Sequence, residues 1–545
     1  MNTSRRSFIL GAGAATAALT GSAAELMKLA EDKRLNILFI MTDDHAAHAI
    51  SAYGSKVSQT PHIDQMAKEG MLFDSVMCTN PICTPSRAGI LTGRYSHKNG
   101  VPVFNDISPE IETVGGYMRE AGYYTGFIGK WHCGGPASIR NADWDKWYLY
   151  QGQGSYLNPW YYIRKEDGTY GKLSFPGEYA TENITKLTKG VIDEALTTGK
   201  PFYVMMHHKA PHRNWIPSEK YRLKFRSMTL KDIPMPATLF DDWEGRATPI
   251  RKTAMTILHH MRLGSDLKAA EWFSEGHVFE FEGKTYYGQK DANGKFLDKW
   301  PVDADGKVAD DRAKTAFSYL RYMQDYLACC QSVDDSVGEM NAYLKEKGLD
   351  RNTLVIYTSD QGFFLGDHGL YDKRFIMEET LKMPFIAKCP AFIKPGARNS
   401  DLIANIDFAP TFIDLAGASK PAEMQGESFV KTLKGQTPAD WKKAVYARYY
   451  VEGGEHATAA WYGVRTQTEK LVYYYKRDEW EYFDCKADPE ELHNGYADPK
   501  NADRIAELKK LLTELRAKYG DEDQYKDCKE YSTVIRFMSI SSNRY

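Results

Sequence analysis

Two short apolar runs, far apart in the chain, end the same way. Asn36-Ile37-Leu38-Phe39-Ile40-Met41 runs into Thr42-Asp43-Asp44-His45, and Leu354-Val355-Ile356-Tyr357-Thr358-Ser359 runs into Asp360-Gln361-Gly362. A half-exposed strand alternates apolar with polar residues. Runs that are apolar at successive positions predict strands buried on both faces, as in a parallel sheet covered by helices. Pro201–Met206 and Met383–Ala387 repeat the pattern, and helical patterns at 182–200, 319–347 and 406–415 lie between or after them. The alternation predicts an α/β fold. In open α/β sheets, ligands sit beyond the carboxyl ends of the strands. If the two Asp-terminated strands are parallel neighbours, Asp43, Asp44, Asp360 and the side-chain oxygen of Gln361 gather into an oxygen-rich set suited to a hard cation. Asp43-Asp44 alone could equally form a solvated turn.

Composition narrows the partners. The chain has 545 residues, enough to predict two or more structural units. Lys and Arg number 70 against 72 Asp and Glu, a net charge of −2, so the chain does not read as a nucleic-acid binder, and any anionic substrate must meet a local basic cluster. Eight Cys in this length make no disulfide framework, no CxxC zinc pattern is present, and Cys329-Cys330 falls in a helical pattern. Ser4-Arg5-Arg6-Ser7-Phe8-Ile9-Leu10, an apolar run to Leu19 and the small residues Ser22-Ala23-Ala24 predict a bacterial export signal of twin-arginine character within 1–32, and a periplasmic protein. An ordinary Sec signal is the alternative. The Gly/Ala-rich run is too short for a membrane span.

Three further stretches concentrate chemistry. In Cys83-Thr84-Pro85-Ser86-Arg87 a loop enters a helix, with Ser86 as a possible cap and Cys83 at the positive helix end, which predicts a lowered thiol pKa. A buried structural Cys is the plain alternative. In Gly122-Tyr123-Tyr124-Thr125-Gly126-Phe127-Ile128-Gly129-Lys130-Trp131-His132, Lys130 and His132 are two apart in an extended segment and can face one anion. His207-His208-Lys209-Ala210-Pro211-His212-Arg213 is a basic loop after a strand, with a zinc site of three His as the alternative. Residues 144–180 show little periodicity and predict a loop-rich insertion. Residues 218–315 form a polar excursion with local hairpins and helices, and Asp334-Asp335 on the long helix are expected to face solvent. Residues 33–420 are taken as the main domain and 421–545 as a smaller C-terminal α+β unit, with four strand-like runs and a charged helix.

Cys83-Thr84-Pro85-Ser86-Arg87-Ala88-Gly89-Ile90-Leu91-Thr92-Gly93-Arg94 resembles the type I sulfatase signature Cys-x-Pro-Ser-Arg-x-x-x-Leu-Thr-Gly-Arg, and the stretch ending at His132 resembles the family's second signature. The resemblance spans most of the chain after the signal. It implies the alkaline-phosphatase-like α/β fold, a large mixed sheet flanked by helices. It implies oxidation of Cys83 to formylglycine by a separate maturing enzyme. It implies calcium, or magnesium, held by Asp43, Asp44, Asp360 and Gln361 with the matured Cys83. The family usually has Asn where Gln361 stands; Gln offers the same amide oxygen one methylene further out. Arg87, Lys130 and Lys373 are implied to stabilise nucleophile and sulfate, His212 to act as the acid with Lys373 as the alternative, and His132 as the base.

The loop at His207 and the segment Ser359–Gly369 resemble bacterial carbohydrate sulfatases, which implies sulfated glycosaminoglycan or mucin glycans, with the 6-O-sulfate of N-acetylglucosamine as the expected ester. Asp367, His368, His456 and Arg465 are candidates for reading sugar hydroxyls. Two rivals stand beside this reading: a phosphatase or phosphodiesterase of the same superfold, which zinc content would mark, and a catalytically silent carbohydrate-binding protein, for which a maturable Cys is unnecessary. Oligomeric state is not legible.

Overall fold

The computed structural model describes residues 34–529. The predicted export signal lies outside them. Among the described residues no helix is long and apolar enough to cross a membrane. The first half of the chain gives β1 (Asn36–Thr42), β2 (Met71–Met77), β3 (Tyr124–Lys130), β4 (Lys146–Tyr150), β5 (Trp160–Arg164), β6 (Tyr170–Ser174) and β7 (Phe202–His207). The polar excursion holds four short helices and a hairpin, β8 (Phe279–Phe281) with β9 (Lys284–Tyr286). Then come β10 (Thr353–Ser359), a two-stranded ribbon of β11 (Phe364–Leu365) and β12 (Tyr371–Asp372), β13 (Lys382–Lys388), β14 (Ala397–Asn399) and β15 (Ile403–Ala404).

Eleven of these strands form one mixed sheet in the order β14-β2-β13-β10-β1-β7-β3-β4-β5-β6, with β15 also on β2. β1 is central and buried along its whole length. Its odd residues Ile37, Phe39 and Met41 enter one core and its even residues Leu38 and Ile40 the other, as the two-residue period of a strand requires. β1 runs parallel to β10 and to β7, and β7 parallel to β3. Thr42 pairs with Ser359, and Met41 and Gly129 both pair with His207. The carboxyl ends of four strands therefore meet on one edge. The close fit needs Gly129, at φ 106°: a Cβ there would stand 1.9 Å from the carbonyl oxygen of His207.

Three expectations are corrected. Residues 144–180 are not loop-rich: β4, β5 and β6 continue the sheet to its edge. The alternation was hidden because β6, at that edge, is Tyr, Gly, Lys, Leu and Ser, half-buried or exposed. The long helix runs over Asp311–Glu346, starting well before Tyr319, where Asp310 accepts from the Ala313 N–H at 2.9 Å as a cap. Asp334 on it does not face solvent. It is buried and accepts from the backbone N–H groups of His62 (3.1 Å) and Ile63 (2.8 Å), capping the helix Pro61–Glu69, while Asp335 pairs with Lys220 at 2.5 Å.

The C-terminal strands β16 (Ala444–Tyr449), β17 (Trp461–Thr466), β18 (Glu469–Tyr474) and β19 (Glu479–Asp484) form the expected antiparallel sheet, and the helix Ala502–Tyr519 packs on it. This sheet docks near the strand ends: the Arg448 N–H donates to Thr79 O at 2.9 Å, and the Trp461 indole donates to Arg374 O at 2.8 Å. All eight Cys are free.

Candidate active site

The register that joins Thr42 to Ser359 sets Asp43, Asp44 and Asp360 side by side, all buried. Oxygens of the three carboxylates lie within 4.8 Å of one another. Arg87, fully buried, clamps two of them: Nε donates to Asp360 Oδ2 at 2.9 Å, an Nη to Asp43 Oδ2 at 3.2 Å, and the other Nη to Lys130 O at 2.6 Å. Lys130 Nζ donates to Asp43 Oδ2, and Lys373 Nζ to Asp44 Oδ1 at 2.5 Å. Burial pushes Asp43 up, but Lys130, His212, Arg87 and Lys373 outweigh it and hold its carboxyl well below the usual range. Asp44 goes the other way: burial and the neighbouring Asp43 and Asp360 outweigh Lys373 and raise it well above the usual range.

Cys83 opens the helix Cys83–Thr92, and its Sγ lies 3.6 Å from Asp43 Oδ1. The expected low thiol pKa is not found. Burial and the Asp43 carboxylate hold the thiol well above its ordinary value, against Lys373 and Lys130; the helix end is a weaker influence than a carboxylate at contact distance. Ser86 is not the helix cap either. It lies inside the helix, and its hydroxyl donates to the carbonyl of Asp360, tying the Cys83 helix to the end of β10.

The basic loop after β7 separates its three His, because successive residues leave a strand end on opposite faces. His207 Nδ1 lies 3.2 Å from Lys130 O, and His208 Nε2 lies 3.2 Å from Ser336 Oγ on the long helix. Only His212 of the three reaches the carboxylates, with Nε2 3.6 Å from Asp44 Oδ2 and Nδ1 2.5 Å from Arg213 O. A three-His zinc site is thereby excluded. His132, at φ 56°, is turned out of the extended line of β3; its Nδ1 is buried without a hydrogen-bond partner, and its ring lies beside Phe104 at 5.7 Å.

Of the four sugar-reading candidates, His456 comes nearest the cluster. Its Nε2 pairs at 2.8 Å with Asp372 Oδ2, one residue before Lys373, and its Nδ1 is buried without a hydrogen-bond partner, while Asp372 Oδ1 has only Lys373 Nζ at 3.5 Å. Asp367 pairs with His48 at 3.1 Å and His368 with Asp241 at 2.9 Å, so both are engaged behind the ribbon. Arg465 does not join the cluster: it is held by Glu378 at 2.7 Å against the C-terminal sheet. Sequence reasoning missed Asp372, whose partner lies in a distant loop, and Gln153, whose carboxamide oxygen accepts from Lys130.

The donor set fits a hard cation. Asp44 Oδ2 and Gln361 Oε1 are buried without a hydrogen-bond partner. Carboxylate and amide oxygens are the ligands a hard cation such as calcium or magnesium takes.

Residues 35–418 match the family described as sulfatase, and residues 366–518 match the C-terminal part of N-sulphoglucosamine sulphohydrolase. The chain belongs to the sulfatase family. This sulfatase, a sulfuric ester hydrolase, is 40% identical to an N-acetylglucosamine-6-O-sulfatase of Bacteroides thetaiotaomicron, over 90% of its own length and 88% of that protein's. An uncharacterised sulfatase of Escherichia coli is 27% identical over 90% and 88%. A solved structure described as a complex with its substrate D-glucosamine-2-N,6-O-disulfate superposes with a TM-score of 0.78 at 35% identity, covering 91% of this chain and all of that one. Fold and family therefore agree with the expected alkaline-phosphatase-like arrangement of one large mixed sheet between helical layers. In this sulfatase the signature Cys, the two Lys, the three strand-end carboxylates and Gln361 converge on one buried point.

Proposed function

We propose that this sulfatase removes the 6-O-sulfate of N-acetylglucosamine in glycosaminoglycan or mucin-type glycans, with formylglycine matured from Cys83 as nucleophile and calcium as the cation. The observation that carries the chemistry is Cys83 at 3.6 Å from Asp43, inside a set of three buried carboxylates and three buried cationic side chains. The sugar rests on the relative named for that activity. Asp43, Asp44, Asp360 and Gln361 would hold the cation, with the matured Cys83. Cation and aldehyde together supply a polarised oxygen to attack sulfur.

The remaining work falls to fixed side chains. Arg87 has its donors committed to Asp43, Asp360 and a backbone oxygen, so its charge is held where the nucleophile forms. An ammonium has three donors, so Lys130 and Lys373 keep N–H groups for the sulfuryl oxygens. His212 donates Nδ1–H to Arg213 O, which leaves Nε2 to carry a proton to the departing sugar oxygen. Burial and Lys130 favour its neutral form, and an anionic ester bound beside it favours the charged one. Lys373 is the alternative acid. His132, kept neutral by burial and Lys130, offers a buried nitrogen as the base. Proton transfers of this kind contribute on the order of 100- to 10,000-fold. His456 with Asp372 would read sugar hydroxyls beside Lys373, and Asp367 and His368 would support that wall. Export and a separate maturing enzyme belong to the same reading.

The test is sulfate release from a panel of monosulfated sugars and a phosphate ester. It uses protein whose Cys83 peptide has the mass of the aldehyde, with calcium and after chelation. Release from 6-sulfated N-acetylglucosamine, lost on chelation, is expected. Release from another sugar discards the specificity, and no release from any discards the catalytic reading.

A further inference from the structure

Gln153 meets the buried cluster from the turn that follows β4, in the outer part of the sheet, and its placement is built. β4 lies parallel to β3 with Tyr150 paired to Lys130, so the two strands end side by side. The chain leaving β4 is Gln151-Gly152-Gln153-Gly154-Ser155, and Gly152 (φ 55°) and Gly154 (φ 65°) are both left-handed. The Gly154 N–H donates to Gln151 O at 3.2 Å, closing the turn, and the Tyr150 hydroxyl donates to Ser155 O at 3.1 Å, pinning its far end. A Cβ on Gly154 would stand 3.1 Å from the Tyr150 ring, which itself packs on Tyr161 with centroids 4.5 Å apart. The turn folds Gln153 back so that its Oε1 accepts from Lys130 Nζ.

We propose that Gln153 is a positioning residue for the sulfate-binding Lys130. Lys130 is fully buried and has three donors; Asp43 takes one and Gln153 a second, so the third is fixed in direction. The residue type matters as much as the contact. A second carboxylate beside Lys130 would neutralise the charge the anionic ester needs, whereas a carboxamide oxygen holds the ammonium and leaves that charge available. Because Oε1 is used, the Nε2 hydrogens face away from Lys130. The inference rests on the reading that Lys130 meets the sulfate, and goes beyond it in assigning a residue outside the signature stretches.

The experiment uses binding, so that inactive variants remain informative. In a Cys83→Ser background, affinities for 6-sulfated and unsulfated N-acetylglucosamine are measured by calorimetry for Gln153→Ala, Gln153→Glu, Lys130→Ala and the Gln153→Ala/Lys130→Ala double variant. Gln153→Ala is expected to weaken binding of the sulfated sugar by about 10- to 100-fold, by analogy with the loss of a hydrogen-bond partner that orients a metal ligand. Binding of the unsulfated sugar should not change, and Gln153→Glu should be no better than Gln153→Ala. With Lys130 already removed, Gln153→Ala should add nothing. Equal loss in both backgrounds, or equal loss for both sugars, makes Gln153 a structural loop residue and overturns the proposal. Full sulfated-sugar affinity in Gln153→Ala also overturns it. Full affinity in Lys130→Ala instead overturns the underlying reading of Lys130.

Discussion

Two of the buried charge clusters among the described residues are built on opposite rules. Under the C-terminal sheet, Glu378, Glu481 and Glu491 meet Arg246, Arg465 and Lys470. Arg465 bonds Glu378 at 2.7 Å, Arg246 bonds Glu481 at 2.8 Å, and Lys470 bridges Glu491 and Glu378. Further donors complete the carboxylates: Glu491 Oε2 accepts from the Glu378 N–H at 2.9 Å, Glu481 Oε1 also from the Ala247 N–H at 2.9 Å, and Glu481 Oε2 from the Tyr474 hydroxyl at 3.1 Å. Lys470 and Arg465 outweigh burial and pull Glu378 well below the carboxylate range. Glu378, Glu491 and Cys485 are also close enough together to hold an ion, but two cations already stand among them. At the strand ends the matching fails. Asp44 Oδ2, Gln361 Oε1, His132 Nδ1 and Asp372 Oδ1 are buried without a hydrogen-bond partner, with His212 no nearer than 3.6 Å to the first and Lys373 3.5 Å from the last, and Asp44 is raised rather than lowered. Buried polar groups are costly unless satisfied. Such atoms occur singly elsewhere in the described residues, but here several fall within one cluster beside the signature Cys, which is the pattern a bound ion or anionic ester would complete.

The comparison breaks most visibly at Cys83. Cys83→Ala should lose on the order of 10,000-fold or more in turnover, with the melting temperature nearly unchanged, because only a thiol in a cluster still held by Arg87 is removed. Sulfate release and a thermal melt on the same preparation check it; retained turnover ends the formylglycine assignment. Next is the cation. A ligand that binds only the folded state stabilises by about 2.7 kcal/mol at a hundred times its dissociation constant. Calcium should therefore raise the melting temperature of the wild type and leave Asp44→Asn, which weakens the oxygen set, almost unmoved. A calcium shift of equal size in both would remove Asp44 from the site.

The matched array predicts the reverse pattern. Lys470→Met should destabilise the fold by about 3–5 kcal/mol, since it leaves Glu491 buried without its cation, while half-buried Glu378 keeps Arg465. Turnover per folded molecule should stay within about twofold of the wild type, a tolerance set by the roughly 0.5 kcal/mol to which effects at separate sites add. Chemical denaturation and active-site-normalised kinetics separate the two. A large loss of turnover without destabilisation would show that this array also serves the reaction.

Much of the site was legible because parallel register carries sequence position directly into space. Once β1 and β10 pair in step, the residues after each strand must be neighbours, and Asp43, Asp44, Asp360 and Gln361 follow. The Cys83 helix was legible as a motif, but its electrostatics were not: burial and Asp43 decide the thiol, and neither is written locally. Asp334 and Asp335 look equivalent in sequence, yet a helix turns about 100° between them, so one caps a neighbour and the other meets solvent. Gln153 sits in a glycine-rich turn with no period to mark it. His456 and Asp372 pair across a wide gap in the chain, and a pairing of that kind leaves no trace in spacing.

The smallest effect expected tests whether matched arrays behave as ordinary ion pairs. Asp325 on the long helix is buried and meets Lys268 at 2.8 Å, Arg226 at 3.2 Å and Arg321 at 3.4 Å. Burial raises its carboxyl, but Arg321, Lys268 and Arg226 outweigh that and bring it from 3.8 to about 2. Because the folded value lies below the unfolded one, the ionised group stabilises the fold above about pH 4, and that contribution fades as pH falls toward 2. A shift of this size corresponds to about 2 kcal/mol at neutral pH. Asp325→Asn should therefore be less stable than the wild type by about that much at pH 7, with the gap narrowing as pH falls from 4 to 2. Urea melts at pH 7, 4 and 3 follow the gap. One that stays constant with pH would mean that Asp325 acts through packing and hydrogen bonds alone, and that balanced charge is not what distinguishes the structural arrays from the strand-end cluster.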